Sequence, residues 1–407
     1  MVERGPIKPM VAEEWARTFP PAKRERYLYS LVRLSVFGLA WFFEPFASCT
    51  RWYQRSCFIK HEANLAQLDK RTPYGRVACA DPRTIQASTD EVQACFGPWF
   101  VSYGSRASEV FDGSERSQVA GWRVLFGFGR TKSEVADYCE AMVRCRERAV
   151  IDCGDDSLIV VDGKIYAIDA KRWDAHIRRP LLEIKGLHLR LLGMDTDRIR
   201  ILMRMIKRRA SFKGLGIGFD VDGNVASGDP DTLYWNTVLG VAIIIGCFES
   251  CNTYEEFEAN ALRLGVEYEV AGVCHAGYPG RGIDFCSCVI APTRTGWTFA
   301  PKLGRYLMKL GVSAVKGNPV RLLSAKLRGA ICDLAAYPEV VAGLCRLSSK
   351  LPTVDAVHES YFPVGKCDPA DSSEREVMFA ERYGLSYGDV VSEVNELVDS
   401  TLSGKLS

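Results

Sequence analysis

The sequence has almost no excess of charge of either sign, because 52 lysines and arginines balance 50 aspartates and glutamates over 407 residues. Such a chain lacks the overall basic field that attracts nucleic acid from a distance, so any nucleic-acid track must be local. Local basic groups do occur, for example at Arg204, Lys207 and Arg208. Runs of this kind are also typical of solvated helix faces, so they do not decide the function alone.

A regular cysteine framework is also absent. The fifteen cysteines are odd in number and irregularly spaced, which indicates free thiols in a reducing compartment. The nearest approach to a metal pattern is Cys274-His275 followed by Cys286 and Cys288, and its spacing departs from that of zinc motifs. We therefore expect neither a disulfide scaffold nor a zinc site.

Long apolar runs, repeats and low-complexity linkers are missing as well. The most apolar early stretch, residues 31–46, carries Arg33 and Glu44 and is too short to cross a membrane. It begins too far into the chain to be a signal peptide. Since 47% of the residues are hydrophobic, the length predicts a folded protein of two or three domains without a transmembrane segment.

Helical spacing of apolar residues alternates with short β-rich runs. The patterns predict helices over residues 10–50, 132–148, 178–209, 230–248 and 255–264 and after residue 300, and strands or hairpins over 56–86, 149–168, 212–225, 266–271 and 284–300. Mixed strands and helices in this order predict an α+β fold.

One tight turn brings acidic residues together. Two β-rich runs are separated by Asp162-Gly163, which is a strong signal for a two-residue hairpin turn. Counting back along both strands places Asp156, the last residue of a Gly-Asp-Asp sequence at 154–156, opposite Asp169. Opposed residues share one face of a hairpin, with Cβ atoms roughly 5 Å apart.

Asp155, Asp156 and Asp169 would repel one another unless a cation neutralised them. Carboxylates suit Mg²⁺ or Mn²⁺, and two such ions activate an attacking hydroxyl and stabilise a leaving phosphate. We therefore predict that these three residues are catalytic and hold two metal ions. The alternative is that Asp-Asp and Asp-Gly are ordinary turn residues.

Asp174 follows Asp169 by five positions, at the end of the strand and just before a predicted helix. One of these carboxylates can hold metal while the other faces an incoming nucleotide. Ser227 and Gly228 then form a flexible loop that leads into the helix predicted from residue 230. This loop is suited to gate a template nucleotide.

The start of that helix carries further polar residues. Asp229 is the predicted N-cap and Pro230 occupies the first helical position. Thr232 and Asn236 are one turn apart and lie on the same face. The alternative is a capped core helix whose polar residues are incidental.

These residues together resemble the palm motifs of viral RNA-dependent RNA polymerases. Residues 169–174 match motif A (D-x4-D), residues 227–236 match motif B (SG-x3-T-x3-N), and residues 154–156 match the GDD of motif C. Conventional palms run A, B, C, whereas this order is C, A, B, and no second GDD follows between Asn236 and Asp284. Palms in this order are known from permutotetraviruses and birnaviruses, and the GDD makes the chain similar to the permutotetravirus enzymes.

The resemblance implies a right-hand polymerase of fingers, palm and thumb, with an antiparallel-sheet palm of permuted connectivity. It implies an N-terminal extension and fingers over 1–148, the palm over 149–311 with an inserted fingers segment at about 178–224, and a helical thumb over 312–407. A permuted chain can keep the same site, because catalysis depends on where the carboxylates lie in space. A longer parent polyprotein stays open.

Residues 57–62 and 81–85 resemble motif F of the fingers. This resemblance implies that Lys60 and Arg83 bind the triphosphate of the incoming nucleotide, and arginine suits bidentate contacts with phosphate. The alternative for both cations is a structural salt bridge.

Residues 284–302 resemble motif E, the primer-gripping hairpin, which implies that Cys286, Ser287 and Lys302 contact primer or product RNA. Residues 261–265 fit motif D but lack the lysine that often serves there as general acid. The identity of the general acid therefore stays open.

The implied activity is RNA-directed synthesis of viral RNA, with Asp155 and Asp169 holding the metals and Asp156 assisting. Ser227, Gly228 and Thr232 would shape the nucleotide site. Asp174 and Asn236 would recognise the ribose 2′-hydroxyl, which distinguishes RNA from DNA precursors.

The implied partners are template and product RNA, nucleoside triphosphates and other viral replication proteins, in the host cytoplasm at membrane-associated replication complexes. Whether a protein primes synthesis stays open. A reverse transcriptase is an alternative, although it would be expected to carry a bulky residue in place of Asp174. A catalytically inactive RNA-binding scaffold is another, although intact motif residues argue against decay.

Overall fold

The computed structural model describes residues 5–42, 54–59, 84–249, 251, 253–275, 283–310, 317–357 and 367–403. The helices are α1 (Ala12–Arg17), α2 (Pro21–Phe37), α3 (Asp90–Val110), α4 (Lys132–Cys145), α5 (Trp173–His176), α6 (Arg179–Leu191), α7 (Thr196–Met205), α8 (Thr232–Phe248), α9 (Tyr254–Arg263), α10 (Leu303–Leu310), α11 (Pro319–Asp333), α12 (Pro338–Ser348), α13 (Ser372–Tyr383) and α14 (Tyr387–Leu402). Among these described helices, none is both long and apolar enough to cross a membrane.

The strands are β1 (Gln54–Ile59), β2 (Thr84–Ala87), β3 (Gln118–Val119), β4 (Trp122–Phe126), β5 (Ala149–Cys153), β6 (Asp156–Val161), β7 (Lys164–Ala170), β8 (Lys207–Phe212), β9 (Ile217–Asp222), β10 (Tyr268–His275), β11 (Asp284–Phe285), β12 (Cys288–Thr293) and β13 (Gly296–Pro301). They build a six-stranded sheet, a four-stranded sheet and a three-stranded sheet. Helices and strands are mixed along the chain, so the predicted α+β class is confirmed.

The six-stranded sheet has the order β10, β7, β6, β5, β4, β3 and is antiparallel except for the parallel pair β4–β5. Its central strands are apolar on both faces and feed two separate cores. Side chains of α8 pack in one core and side chains of α4 in the other. A sheet covered on both sides needs continuous apolar strands, which explains why β5 and β6 read as short apolar runs.

The hairpin of β6 and β7 has the predicted register. Asp162 and Gly163 both have positive φ, at 51° and 72°, as a two-residue turn of the tight hairpin type requires. Val161 pairs with Lys164, and Asp156 pairs with Asp169 at the far end of the ladder. The sequence count of this hairpin is therefore confirmed.

The four-stranded sheet departs from the prediction. Its order is β2, β1, β8, β9, with β1 and β8 parallel. The helix predicted over residues 178–209 is instead α6 and α7 followed by β8. Residues 207–212 form a strand because they pair with both β1 and β9, and tertiary pairing overrides local helical spacing.

Three other elements were not predicted or begin elsewhere. The long helix α3, with buried aromatic residues on its inner face, and strand β4 had no sequence prediction. Helix α8 begins at Thr232, after the expected start at Pro230, and its N-cap residue is Asp231 without a side-chain capping bond. The predicted capping role of Asp229 is wrong, because its carboxylate pairs with Arg55 instead.

The three-stranded sheet joins the central part of the molecule to the C-terminal helices. Its strands run in the order β11, β12, β13, and α10 to α14 pack into a third core beside it. Tyr337 in this core donates a hydrogen bond to the carbonyl of Pro301 in β13, at 3.0 Å. The turn between β11 and β12 lies against the start of β6.

Candidate active site

The acidic turn lies between β5 and β6. Asp155 and Asp169 are exposed, whereas Asp156 is half-buried at the first position of β6. Gly154 has φ +83°, and its amide donates a hydrogen bond to Thr237 Oγ1 of α8 at 2.7 Å. The chain therefore presents Asp155 on a turn that is anchored to a buried helix.

The three carboxylates influence one another. Burial raises the pKa of Asp156 to about 7, and the negative charges of Asp155 and Asp169 act in the same direction. Hydrogen bonds from Cys286 partly oppose this rise in the pKa. A divalent cation would relieve the repulsion, and an all-carboxylate set suits Mg²⁺ or Mn²⁺.

The residue types fit such an ion, but their carboxylates are not arranged around a common point. Within the described part of the chain, no three His, Cys, Asp or Glu side chains already converge on a point where a metal could sit. A metal ion held by Asp155, Asp156 and Asp169 would require their carboxylates to lie closer together than they do here.

Beneath the turn lies a buried acid that the sequence analysis missed. Asp152 of β5 is completely buried and accepts a hydrogen bond from Ser157 Oγ at 2.6 Å. Burial raises its pKa well above the ordinary value, while hydrogen bonds from Ser157 and Thr237 lower it. Since Thr237 also accepts from Gly154, its hydroxyl links Asp152 to the acidic turn. The available signal was an aspartate inside an otherwise apolar strand.

Asp152→Asn is expected to reduce the dependence of stability on pH. The unfolded carboxyl ionises near its ordinary pKa of 3.8, whereas the raised pKa keeps the folded carboxyl protonated. The folded state thus binds more protons above that pH, so the contribution of Asp152 to stability falls as pH rises from about 4. Asparagine does not ionise. Urea unfolding from pH 4.5 to 7.5 should show the variant gaining stability over wild type as pH rises, and a constant difference would contradict this account.

Asp174 and Asn236 form the predicted polar pair. Asp174 lies in the short helix α5, directly after β7, and Asn236 is buried in the second turn of α8. Asn236 Nδ2 donates to Asp174 Oδ1 at 3.2 Å. The structure therefore brings together two residues that are 62 positions apart in sequence.

Ser227 and Gly228 precede α8 in a loop with defined contacts. The Gly228 amide donates to the carbonyl of Gln86 at 3.2 Å, and its carbonyl accepts from Gln93 Nε2 at 2.7 Å. A Cβ at Gly228 would lie 2.6 Å from the Gln86 carbonyl oxygen, so only glycine fits there. Thr232 contributes by donating from Oγ1 to the carbonyl of Ala226 at 2.9 Å.

The turn between β11 and β12 holds the predicted primer-contacting residues. Cys286 and Ser287 have positive φ, at 50° and 62°, and Cys286 hydrogen bonds to Asp156. Lys302 Nζ lies 2.7 Å from Asp284 Oδ2 at the base of this hairpin. The structure thus sets Cys286 beside the acidic turn and pairs Lys302, which directly follows β13, with Asp284 of β11.

Lys60 and Arg83 lie outside the described residues. Their chain neighbours Ile59 and Thr84 are paired directly across β1 and β2. The triphosphate-binding role of the two cations therefore stays a prediction.

The fold has known counterparts, although no protein-family model and no curated protein match the chain. The RNA polymerase VP1 from Infectious Pancreatic Necrosis Virus aligns with 79% of this chain and 46% of its own, with a TM-score of 0.50 and 13% identity. A structure of the birnavirus VP1–VP3 complex aligns with 66% of this chain and 40% of that chain, with a TM-score of 0.48 and 12% identity.

The chain thus spans less than half the length of the chains that it matches. Because the sequence identity is so low, the alignment with the VP1 polymerase shows a similarity of fold and nothing further. The fold of the chain resembles that of a viral RNA polymerase.

Proposed function

We propose that the chain is an RNA-directed RNA polymerase with a permuted palm, replicating and transcribing a viral RNA genome by two-metal nucleotidyl transfer. The observation that carries the proposal is the pairing of Asp156 with Asp169 beside the turn that bears Asp155, in a chain whose fold resembles that of a viral RNA polymerase. The coarser expectation of a viral-polymerase fold is confirmed. The permuted order, the metals and the chemistry are the proposed part.

The permutation is supported by the connectivity of the six-stranded sheet. The GDD turn joins β5 to β6, and β7 with Asp169 follows through a two-residue turn. The chain therefore needs no long connection between the proposed motifs C and A. We extend the proposal to the division into extension and fingers (1–148), palm (149–311, with the inserted segment at about 178–224) and thumb (312–407).

In this proposal Asp155 and Asp169 hold two Mg²⁺ or Mn²⁺ ions and Asp156 assists. Bound there, the ions would supply activation of the primer 3′-hydroxyl and neutralisation of the departing pyrophosphate. The protein side chains position the reactants, with Lys60 and Arg83 gripping the triphosphate. Cys286, Ser287 and Lys302 would lie along the primer.

The ribose site is proposed at Asp174 and Asn236. The hydrogen bond from Asn236 Nδ2 orients the Asp174 carboxylate, which can then accept from a 2′-hydroxyl. A site built to bind a hydroxyl discriminates strongly against an analogue that lacks it, because its own polar groups are left unpaired. Selection of ribonucleotides follows from this pair.

Asp174→Ala is therefore expected to weaken the preference for ribonucleoside over deoxyribonucleoside triphosphates by at least about tenfold. The ratio of the two kcat/KM values in single-nucleotide extension measures this preference. Asp174→Asn, which can still accept a hydrogen bond, should retain more of it. An unchanged ratio in the alanine variant would remove Asp174 from the ribose site.

The function itself is tested with the purified protein, an RNA template, labelled nucleoside triphosphates and Mg²⁺ or Mn²⁺. The expected product is RNA complementary to the template, which nearest-neighbour analysis would identify. Incorporation of deoxynucleotides in preference to ribonucleotides would favour a reverse transcriptase. RNA binding without synthesis would favour an inactive scaffold.

The remaining partners follow from the same proposal. Template and product RNA and nucleoside triphosphates are the direct ligands, and other viral replication proteins are the proposed protein partners. The proposed location is the host cytoplasm at membrane-associated replication complexes. The general acid for pyrophosphate stays unassigned.

A further inference from the structure

The segment between β9 and α8, residues 223–231, is fixed by buried cations that come from other elements. Arg208 of β8 donates from Nη1 to the carbonyls of Gly223 and Asn224 at 3.0 and 2.9 Å, and from Nε to Gln86 Oε1 at 2.8 Å. Only 3% of Arg208 is exposed. This residue therefore ties the beginning of the segment to β2.

Two ion pairs hold the end of the segment. Arg55 Nη2 lies 2.9 Å from Asp229 Oδ1, and the Arg55 side chain is fully buried. Lys185 Nζ of α6 lies 2.5 Å from Asp231 Oδ2, with both side chains at least 90% buried. Ser227 and Gly228, the proposed template gate, thus lie between contacts made by elements outside the six-stranded sheet.

The Arg55 pair has a particular position in the chain. Arg55 lies in β1, which runs directly into the proposed triphosphate-binding Lys60. Strand β2 begins directly after Arg83, and its Gln86 and Ala87 contact Gly228. Both β1 and β2, which carry the described parts of the proposed motif F, are therefore docked on the loop that carries Ser227 and Gly228.

A buried ion pair keeps the two segments that carry its charges at a fixed distance from each other. Its two charges are removed from water, so separation leaves an uncompensated charge in a low-dielectric interior and is strongly disfavoured. Arg55 also presents a planar guanidinium whose geometry a lysine does not reproduce. Displacement of β1 would consequently displace Asp229 and the loop before it.

We infer that Arg55 is a positioning residue that seats the loop of Ser227 and Gly228, and through it the templating base, against β1 and β2. The inference rests on the proposed function of Ser227 and Gly228. It assigns the Arg55–Asp229 pair a role in nucleotide selection that an ordinary structural ion pair would not have.

The test compares Arg55→Lys and Asp229→Asn with wild type in single-nucleotide extension. Each variant is expected to raise the KM for the nucleoside triphosphate about tenfold and to raise the misincorporation frequency. The double variant should be no worse than the more impaired single variant, since both remove one interaction. KM does not depend on the fraction of folded molecules, so a partly unfolded preparation still gives a result.

Arg375→Lys is the matched control. Arg375 is also buried, but it pairs with Glu339 among the C-terminal helices and not with the loop before α8. We expect it to lower the active fraction or the thermal midpoint while KM and misincorporation stay at wild-type values. A rise in KM for this variant equal to that of Arg55→Lys would show a general effect of destabilisation and overturn the inference.

The two levels of the proposal fail separately. If wild type synthesises RNA and Arg55→Lys and Asp229→Asn keep its KM and error frequency, the positioning role is wrong and the polymerase function stands. If wild type incorporates no nucleotide under any metal condition, the proposed function is wrong and the inference falls with it. Asp229→Asn preserves side-chain size and decides the matter if Arg55→Lys does not fold.

Discussion

Asp155→Ala is expected to lower the rate of nucleotide incorporation at least about 1,000-fold while leaving the protein folded. The side chain is exposed on the turn between β5 and β6, so its removal costs little packing. The loss arises because metal ions supply several kcal/mol of transition-state stabilisation and each 1.36 kcal/mol is a tenfold change in rate. Single-turnover primer extension with saturating nucleotide measures this rate.

The matched control lies on the turn at the opposite end of strand β6. Asp162 is also an exposed aspartate in a turn, with φ 51°, a conformation that asparagine tolerates. Asp162→Asn is expected to keep the wild-type rate, and circular dichroism should show both variants folded. Equal incorporation by wild type and Asp155→Ala would refute the assignment of the catalytic turn.

Gly240→Ala is expected to destabilise the protein and impair catalysis together. A Cβ at this position of α8 would lie 2.6 Å from Asp152 Oδ2. Asp152 is buried and hydrogen bonded to Ser157, so it has no room to withdraw. The helix would have to move away from β5, at a cost of about 1–3 kcal/mol. This movement of α8 would carry Thr237 away from the acidic turn, and the hydrogen bond from the Gly154 amide to Thr237 would be lost.

Gly246→Ala on the same helix provides the comparison. Gly246 is exposed, and a Cβ there would meet no atom within 4 Å. Replacing a helical glycine by alanine at such a site is worth up to about 1 kcal/mol of stabilisation. Urea unfolding should therefore show Gly240→Ala less stable and Gly246→Ala more stable than wild type, with a difference between the two variants of roughly 1–4 kcal/mol. If both changes were stabilising, α8 would not pack on Asp152 as described.

Much of the local structure could be predicted because its causes are local. The positive φ of Asp162 and Gly163 and the two-residue period of the strands place Asp156 opposite Asp169 without any long-range information. The long apolar helix α8 follows in the same way from its own spacing and from the breaker residues before it.

Contacts between distant segments could not be predicted. Residues 207–212 have helical neighbours in sequence but become strand β8 because β1 and β9 offer pairing partners. The sequence predicted that Asp229 caps a helix, yet its carboxylate forms an ion pair with Arg55, which lies 174 positions earlier in the sequence. The role of Asp152 depends on Gly240, whose missing side chain lets α8 approach β5.

The sequence by itself determined the α+β class, the tight hairpin and the adjacency of the acidic residues on it, because turn geometry and strand periodicity act over a few residues. The tertiary structure decided how that hairpin is supported. Burial of Asp152 under α8 and the docking of β1 and β2 on the loop before α8 depend on packing and desolvation between segments far apart in the chain. A local pattern such as an aspartate inside an apolar strand can mark one partner of such a contact, but it does not name the distant segment that packs on it.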